Sequence, residues 1–178
     1  MPGWHKDGDW FRNFLDSPEQ GLLTIVVWSD IQPQSGGTFV AADSIGPVAR
    51  YLHERPEGCH PGEMQFGRLI PACQDLDEAT GEVGDVFFLH PFMLHAASSN
   101  PSGRARFITN PPVSLREPIC FLRPDGDYSL VEHGVLRALG ADSIDFHITA
   151  ERQRVIPERI ARQQKMLEEQ KARLGQDS

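Results

Sequence analysis

The chain has 178 residues, 39% of them hydrophobic and 24% charged, and a formal net charge of −8. That size buries one core, and the acidic balance argues against a nucleic-acid or anionic-membrane partner, since either favours a basic face. No apolar run is long enough to span a bilayer and no signal-peptide pattern opens the sequence. Three cysteines without metal-type spacing (Cys59, Cys73 and Cys120) read as reduced thiols of a cytoplasmic protein.

In chain order, residues 1–20 interleave Trp4, Trp10, Phe11 and Phe14 with Asp7, Asp9, Arg12 and Asp16, which predicts an extended segment and then a loop or short helix. Gly21 to Trp28 is an apolar, β-branched run between turn formers and reads as a buried strand. After the turn at Pro33 to Gly37, Thr38 to Ala41 is a second short strand, and Val48, Tyr51 and Leu52 give residues 44–54 helical spacing. Pro56 to Gly67 is a long Gly/Pro-rich loop, Phe66 to Cys73 a further strand, and the acidic stretch Asp75 to Thr80 a helical turn. Gly84-Asp85 turns the chain into the apolar run that ends at His95. Small and polar residues then lead to a strand headed by Arg104 and Arg106 and ended by Pro111-Pro112. Ser129 and Glu132 form a capping box for a helix through Leu139, stopped by Gly140. A last helix opens at Pro157 and runs to about Leu174, with Ile160, Leu167 and Leu174 as a narrow apolar stripe. The pattern predicts a mainly β fold with peripheral helices, of the jelly-roll or cupin-like kind. Residues 1–115 would form its core and residues 116–178 a helical extension.

The chemistry concentrates at two distant points. An extended backbone places residues i and i+2 on one face, so His5-Lys6-Asp7 delivers an imidazole and a carboxylate side by side. With His95 the set becomes two histidines and a carboxylate, the facial triad of non-haem Fe(II) oxygenases. His90 lies five residues earlier on the same run, hence on the opposite face of a regular strand, and reads as a strand-end histidine with its own hydrogen bonds. Arg104 and Arg106 share one strand face, and a guanidinium grips a carboxylate through two parallel hydrogen bonds. They suit the far carboxylate of a 2-oxo acid, or else form a solvated pair. Two histidines and an acid also suit zinc, so a non-redox, metal-dependent cupin-like enzyme stands as the alternative. A catalytically incomplete barrel acting as a binding module stands beside it.

Four stretches resemble the phytanoyl-CoA dioxygenase family of Fe(II)/2-oxoglutarate-dependent oxygenases. They are Trp4-His5-Lys6-Asp7, then Val27-Trp28-Ser29-Asp30-Ile31 leading to Ser35-Gly36-Gly37-Thr38-Phe39, then Gly84-Asp85-Val86 through His95, and Arg106 eleven residues after His95. The resemblance covers roughly the first two-thirds of the chain and is specific as a spaced set. It implies a double-stranded β-helix, with His5, Asp7 and His95 as the iron ligands and Arg106 as the clamp on 2-oxoglutarate. Trp28 falls where the family has a tryptophan beside the co-substrate, although a tryptophan ending an apolar strand also reads as core. The implied reaction uses 2-oxoglutarate and dioxygen (O2) as co-substrates, hydroxylates an unactivated C–H bond of a small organic substrate, and releases succinate. The carboxylate of Asp7 favours hydroxylation over halogenation. Family members carry a long region before the HxD motif, so this barrel is expected to be incomplete at its N-terminus, with a sheet edge open to self-association. Ala97 stands where the family commonly has a serine that contacts the co-substrate, and no basic cluster marks a coenzyme A site.

Overall fold

A computed structural model describes residues 3–61, 63 and 65–176. In chain order its elements are strands β1 (Leu22–Val27) and β2 (Thr38–Ala41), helix α1 (Ile45–His53), strands β3 (Leu76–Ala79), β4 (Val86–Leu89), β5 (Leu94–Ala97), β6 (Ile108–Thr109) and β7 (Pro112–Val113), and helices α2 (Leu130–Leu139) and α3 (Glu158–Gln176). They make two antiparallel sheets with helices beside them, a mixed architecture in which, among the described residues, no strand pairing joins the sheets into a closed barrel.

β1 is the centre of the first sheet because its branched residues serve two neighbours and one core. Leu23, Ile25 and Val27 point inward and are buried, as period-2 alternation requires. Leu23 pairs with Leu89 and Ile25 with Phe87 of β4, while β6 and β7 pair with the other side of β1. The outward positions leave an apolar surface: Trp28 is 59%, Phe88 69% and Phe107 62% exposed. In the second sheet β2 lies between β3 and β5, with Val40 opposite His95. Leu23, Ile25 and Leu89 pack with Val40, Met93 and Ile108 into a small core shared by both sheets. The larger core joins Phe92 and Leu94 to Val48 and Leu52 of α1 and to Val135 and Leu136 of α2, so packing runs across residue 115.

α2 begins as its capping box predicts. Ser129 Oγ accepts from the Glu132 amide, Glu132 accepts from the Ser129 amide, and Gly140 ends the helix at φ +67°. Elsewhere the structure differs from the sequence reading. Phe66–Ala72 is a 3-10 helix, not a strand; its apolar residues Phe66, Leu69 and Ile70 have i, i+3, i+4 spacing, and Pro71 could not donate to a ladder. Residues 75–80 are not a helical turn but contain β3, an edge strand whose Glu78 carboxylate accepts from the amides of Gln34 and Gly37. The run ending at His95 turns at residues 90–93 into two strands, β4 and β5, of different sheets. Regular pairing of the arginine segment is confined to β6, and Pro112 belongs to β7 instead of ending the segment. Among the described residues of the first twenty there is no helix, and no described helix is long and apolar enough to cross a membrane.

Candidate metal centre

The segment carrying His5 and Asp7 is held against β5 by a pair of backbone hydrogen bonds. The His5 amide donates to the His95 carbonyl at 3.0 Å, and the His95 amide to the His5 carbonyl at 2.9 Å. Residues that exchange both bonds in an antiparallel pair present their side chains on one face, and the two imidazole centroids are 4.4 Å apart. Nearest-neighbour alternation along the extended segment then sends Asp7 to the same side.

Each imidazole is oriented by a main-chain carbonyl. His5 Nδ1 is 2.8 Å from the Gly3 oxygen, and His95 Nδ1 is 3.1 Å from the Met93 oxygen. A carbonyl only accepts, so each Nδ1 carries a proton and Nε2 is the nitrogen left to serve as a ligand. Both Nε2 atoms face Asp7, with His5 Nε2 at 3.6 Å and His95 Nε2 at 3.5 Å from Asp7 Oδ1. These separations are too long for good hydrogen bonds. His95 Nε2 is buried without a hydrogen-bond partner, which ordinarily costs free energy. Two bonds of about 2.1 Å to one ion separate their donor atoms by roughly 3.0–3.4 Å at angles of about 90–110°. The donor atoms of His5, Asp7 and His95 all lie within 4.8 Å of one another, and the group could hold a metal ion.

Burial alone would raise the Asp7 carboxyl, but His95, His5 and Lys6 outweigh it and hold the group below the usual carboxylate range, so it is an anion at neutral pH. Lys6 points the other way into the protein, where burial pushes its ammonium down to about 8 against the pull of Asp7 and Glu19.

Two cavities meet at this cluster. One, of about 290 Å³, lies between the sheets and is lined by His5, His95, Leu23, Ile25, Ile108 and Arg106, among others. Arg106 is half-buried and its Nη1 donates to Thr38 Oγ1 at 3.4 Å. The other, of about 770 Å³, opens over His5 and Asp7 and is walled by Trp4, Trp10 and Phe66. At its rim Arg159 Nε and Nη2 donate to the two Asp9 carboxylate oxygens at 3.0 and 3.3 Å. His5 and Asn110 line both.

Of the residues singled out in the sequence, His5, Asp7, His95 and Arg106 come together. Trp28 does not. It lines neither cavity, and its Nε1 donates to Thr109 Oγ1 at 3.0 Å on the exposed side of the sheet. Inward positions of β1 are Leu23, Ile25 and Val27, so residue 28 falls on the opposite face. Arg104 is exposed and outside the cavity lining. His90 is satisfied internally: its Nε2 donates to the Val131 carbonyl at 3.1 Å and its Nδ1 accepts from the Phe92 amide at 3.0 Å. Sequence reasoning missed Lys6, Asn13 and Thr38; the signal for Lys6 was its place between two candidate ligands, where alternation turns it inward. Comparison with protein-family models, curated proteins and solved structures finds no match to this chain.

Proposed function

We propose that this chain is a non-haem Fe(II)/2-oxoglutarate-dependent dioxygenase, like those of the phytanoyl-CoA dioxygenase family, that hydroxylates an unactivated C–H bond of a small organic substrate. The observation that carries the reading is the convergence of two histidine Nε2 atoms and Asp7 Oδ1 where two cavities meet, one of them containing Arg106. A hydrolytic zinc centre needs only a water and one substrate pocket, whereas a guanidinium in a second, smaller cavity suits a carboxylate-bearing co-substrate.

In this reading His5, Asp7 and His95 would hold Fe(II). Bound there, iron supplies the redox chemistry that couples dioxygen to two oxidations: one oxygen atom enters the substrate, the other enters succinate, and carbon dioxide leaves. The chain's own part is binding and exclusion of water. Arg106 takes the far carboxylate of 2-oxoglutarate through paired hydrogen bonds, and the apolar walls from Leu23, Ile25 and Ile108 strengthen that ion pair by lowering the local dielectric. Gly3 and Met93 carbonyls keep both imidazoles in the ligating tautomer. Trp4, Trp10 and Phe66 offer the substrate flat apolar faces.

A double-stranded β-helix is the fold this reading requires, and two antiparallel sheets enclosing the Arg106 cavity support it. A cytoplasmic location and self-association of two copies complete the proposal. The surface for the latter is the β4 edge with its exposed Val86 and Phe88.

The test is succinate release from 2-oxoglutarate by the purified chain with Fe(II) and oxygen. Slow turnover without substrate is expected in the wild type and not in His95→Ala. Equal release by both would overturn the assignment.

A further inference from the structure

Lys6 lies between two metal-binding side chains in the sequence and turns away from both. It is 6% exposed, and burying an ammonium is costly unless it is fully bonded. Its Nζ donates to Asn13 Oδ1 at 2.7 Å and to the Asp7 backbone carbonyl at 2.8 Å. Asn13 is itself completely buried. Its Nδ2 donates to the carbonyls of Gly8 and Phe11, each at 2.9 Å, and its backbone exchanges two hydrogen bonds with Cys59. The rings of Phe11 and Phe92 flank the ammonium, 5.6 and 5.9 Å from Nζ. Gly8 completes the loop at φ +124°, and a Cβ there would come within 2.8 Å of Asn13 Oδ1 and 2.9 Å of the Phe11 ring. Residues 6–13 are thus folded around one cation, which reaches the Asp7 carbonyl directly and those of Gly8 and Phe11 through Asn13.

We propose that Lys6, acting through Asn13, is a positioning residue that holds the Asp7 carboxylate against His5 and His95, so that the site is formed before a divalent cation arrives. This rests on the metal-centre reading. The carboxylate is attached to the backbone that Lys6 grips, and no other bond from the core reaches the Asp7 carbonyl among the described residues. A leucine or methionine at position 6 would fill the same space without a buried charge, so packing alone does not account for the lysine. Groups that orient a ligand from behind, when removed, weaken metal binding by about 10- to 100-fold.

The experiment titrates the full chain with Co(II), a spectroscopic probe of coordination, following visible absorption and heat. Wild type, Lys6→Met, Asn13→Asp and His95→Ala are compared, with thermal melts to confirm folding. Lys6→Met is expected to bind Co(II) about 10- to 100-fold more weakly and with an altered absorption envelope. Asn13→Asp keeps an acceptor for Lys6 but loses the amide that holds the Gly8 and Phe11 carbonyls, and shows a weakening of the same sign; it carries the test if Lys6→Met fails to fold. Wild-type affinity and spectrum in a folded Lys6→Met or Asn13→Asp protein, with binding lost in His95→Ala, would overturn the positioning role alone. Undiminished binding in His95→Ala, or none in the wild type, would overturn the metal centre itself and this role with it.

Discussion

His90 gives the protein a built-in sensitivity to acid. The turn it belongs to launches β5 and therefore His95. In the folded chain Nε2–H donates to the Val131 carbonyl of α2 and the bare Nδ1 accepts from the Phe92 amide. A second proton has only Nδ1 to go to, where it meets an N–H donor. Burial, in spite of the Val131 carbonyl, pushes this imidazole down to about 4 from an ordinary value of 6.5. Between those two values the unfolded chain takes up a proton that the folded chain refuses. Stability is therefore complete above about pH 6.5 and falls as the pH drops towards 4. At roughly 1.4 kcal/mol per unit, moving from pH 7.5 to pH 5 removes about 2 kcal/mol. The assay is urea unfolding of wild type and His90→Gln at both values, because the difference between the two proteins isolates His90 from the other histidines. The wild-type advantage should shrink by about 2 kcal/mol at pH 5. An advantage that stays constant across the window would refute the buried, neutral imidazole.

Three further outcomes follow from named contacts. Arg106→Ala should weaken 2-oxoglutarate binding by about 10- to 100-fold while leaving Co(II) affinity within a few fold, since the guanidinium bonds Thr38 and no ligand; calorimetry of both ligands checks it. Glu132→Ala should cost about 2 kcal/mol in urea unfolding, because it strips the capping box and leaves the amides of Ser129 and Cys120 without their acceptor; a loss near zero would contradict that network. Phe88→Lys should abolish any concentration-dependent association seen by sedimentation and leave the fold intact, since Phe88 is 69% exposed on the β4 edge.

Features that depend on neighbours in the chain were readable in the sequence. The His5–Asp7 pair follows from alternation, β1 from its β-branched run, and α2 from a capping box whose two bonds both form. Features decided by distant partners were not. Leu76–Ala79 has two acidic residues and no β-branched one, yet it is a strand because β2 offers it an edge. Phe66–Ala72 has strand-like hydrophobicity, and Gly67 packs so close to the Trp4 carbonyl that a Cβ would approach its oxygen to 2.5 Å; that contact belongs to the fold and not to local propensity. Trp28 shows what a one-residue offset does, since a position that looked adjacent to the co-substrate is turned by parity to the outer face. Lys6 and Asn13 make the same point from inside. Neither residue type signals a buried pair, and only the closed loop of residues 6–13 brings them together.

One site is proposed to take iron and a 2-oxo acid together. The most direct measurement is an anaerobic titration of the full chain with Fe(II) and 2-oxoglutarate, following the visible metal-to-ligand charge-transfer absorption of a chelated 2-oxo acid. A band that appears in the wild type, is absent in His95→Ala and is weakened in Arg106→Ala is the predicted result. A folded, iron-loaded wild type that gives no band when 2-oxoglutarate is added would contradict it.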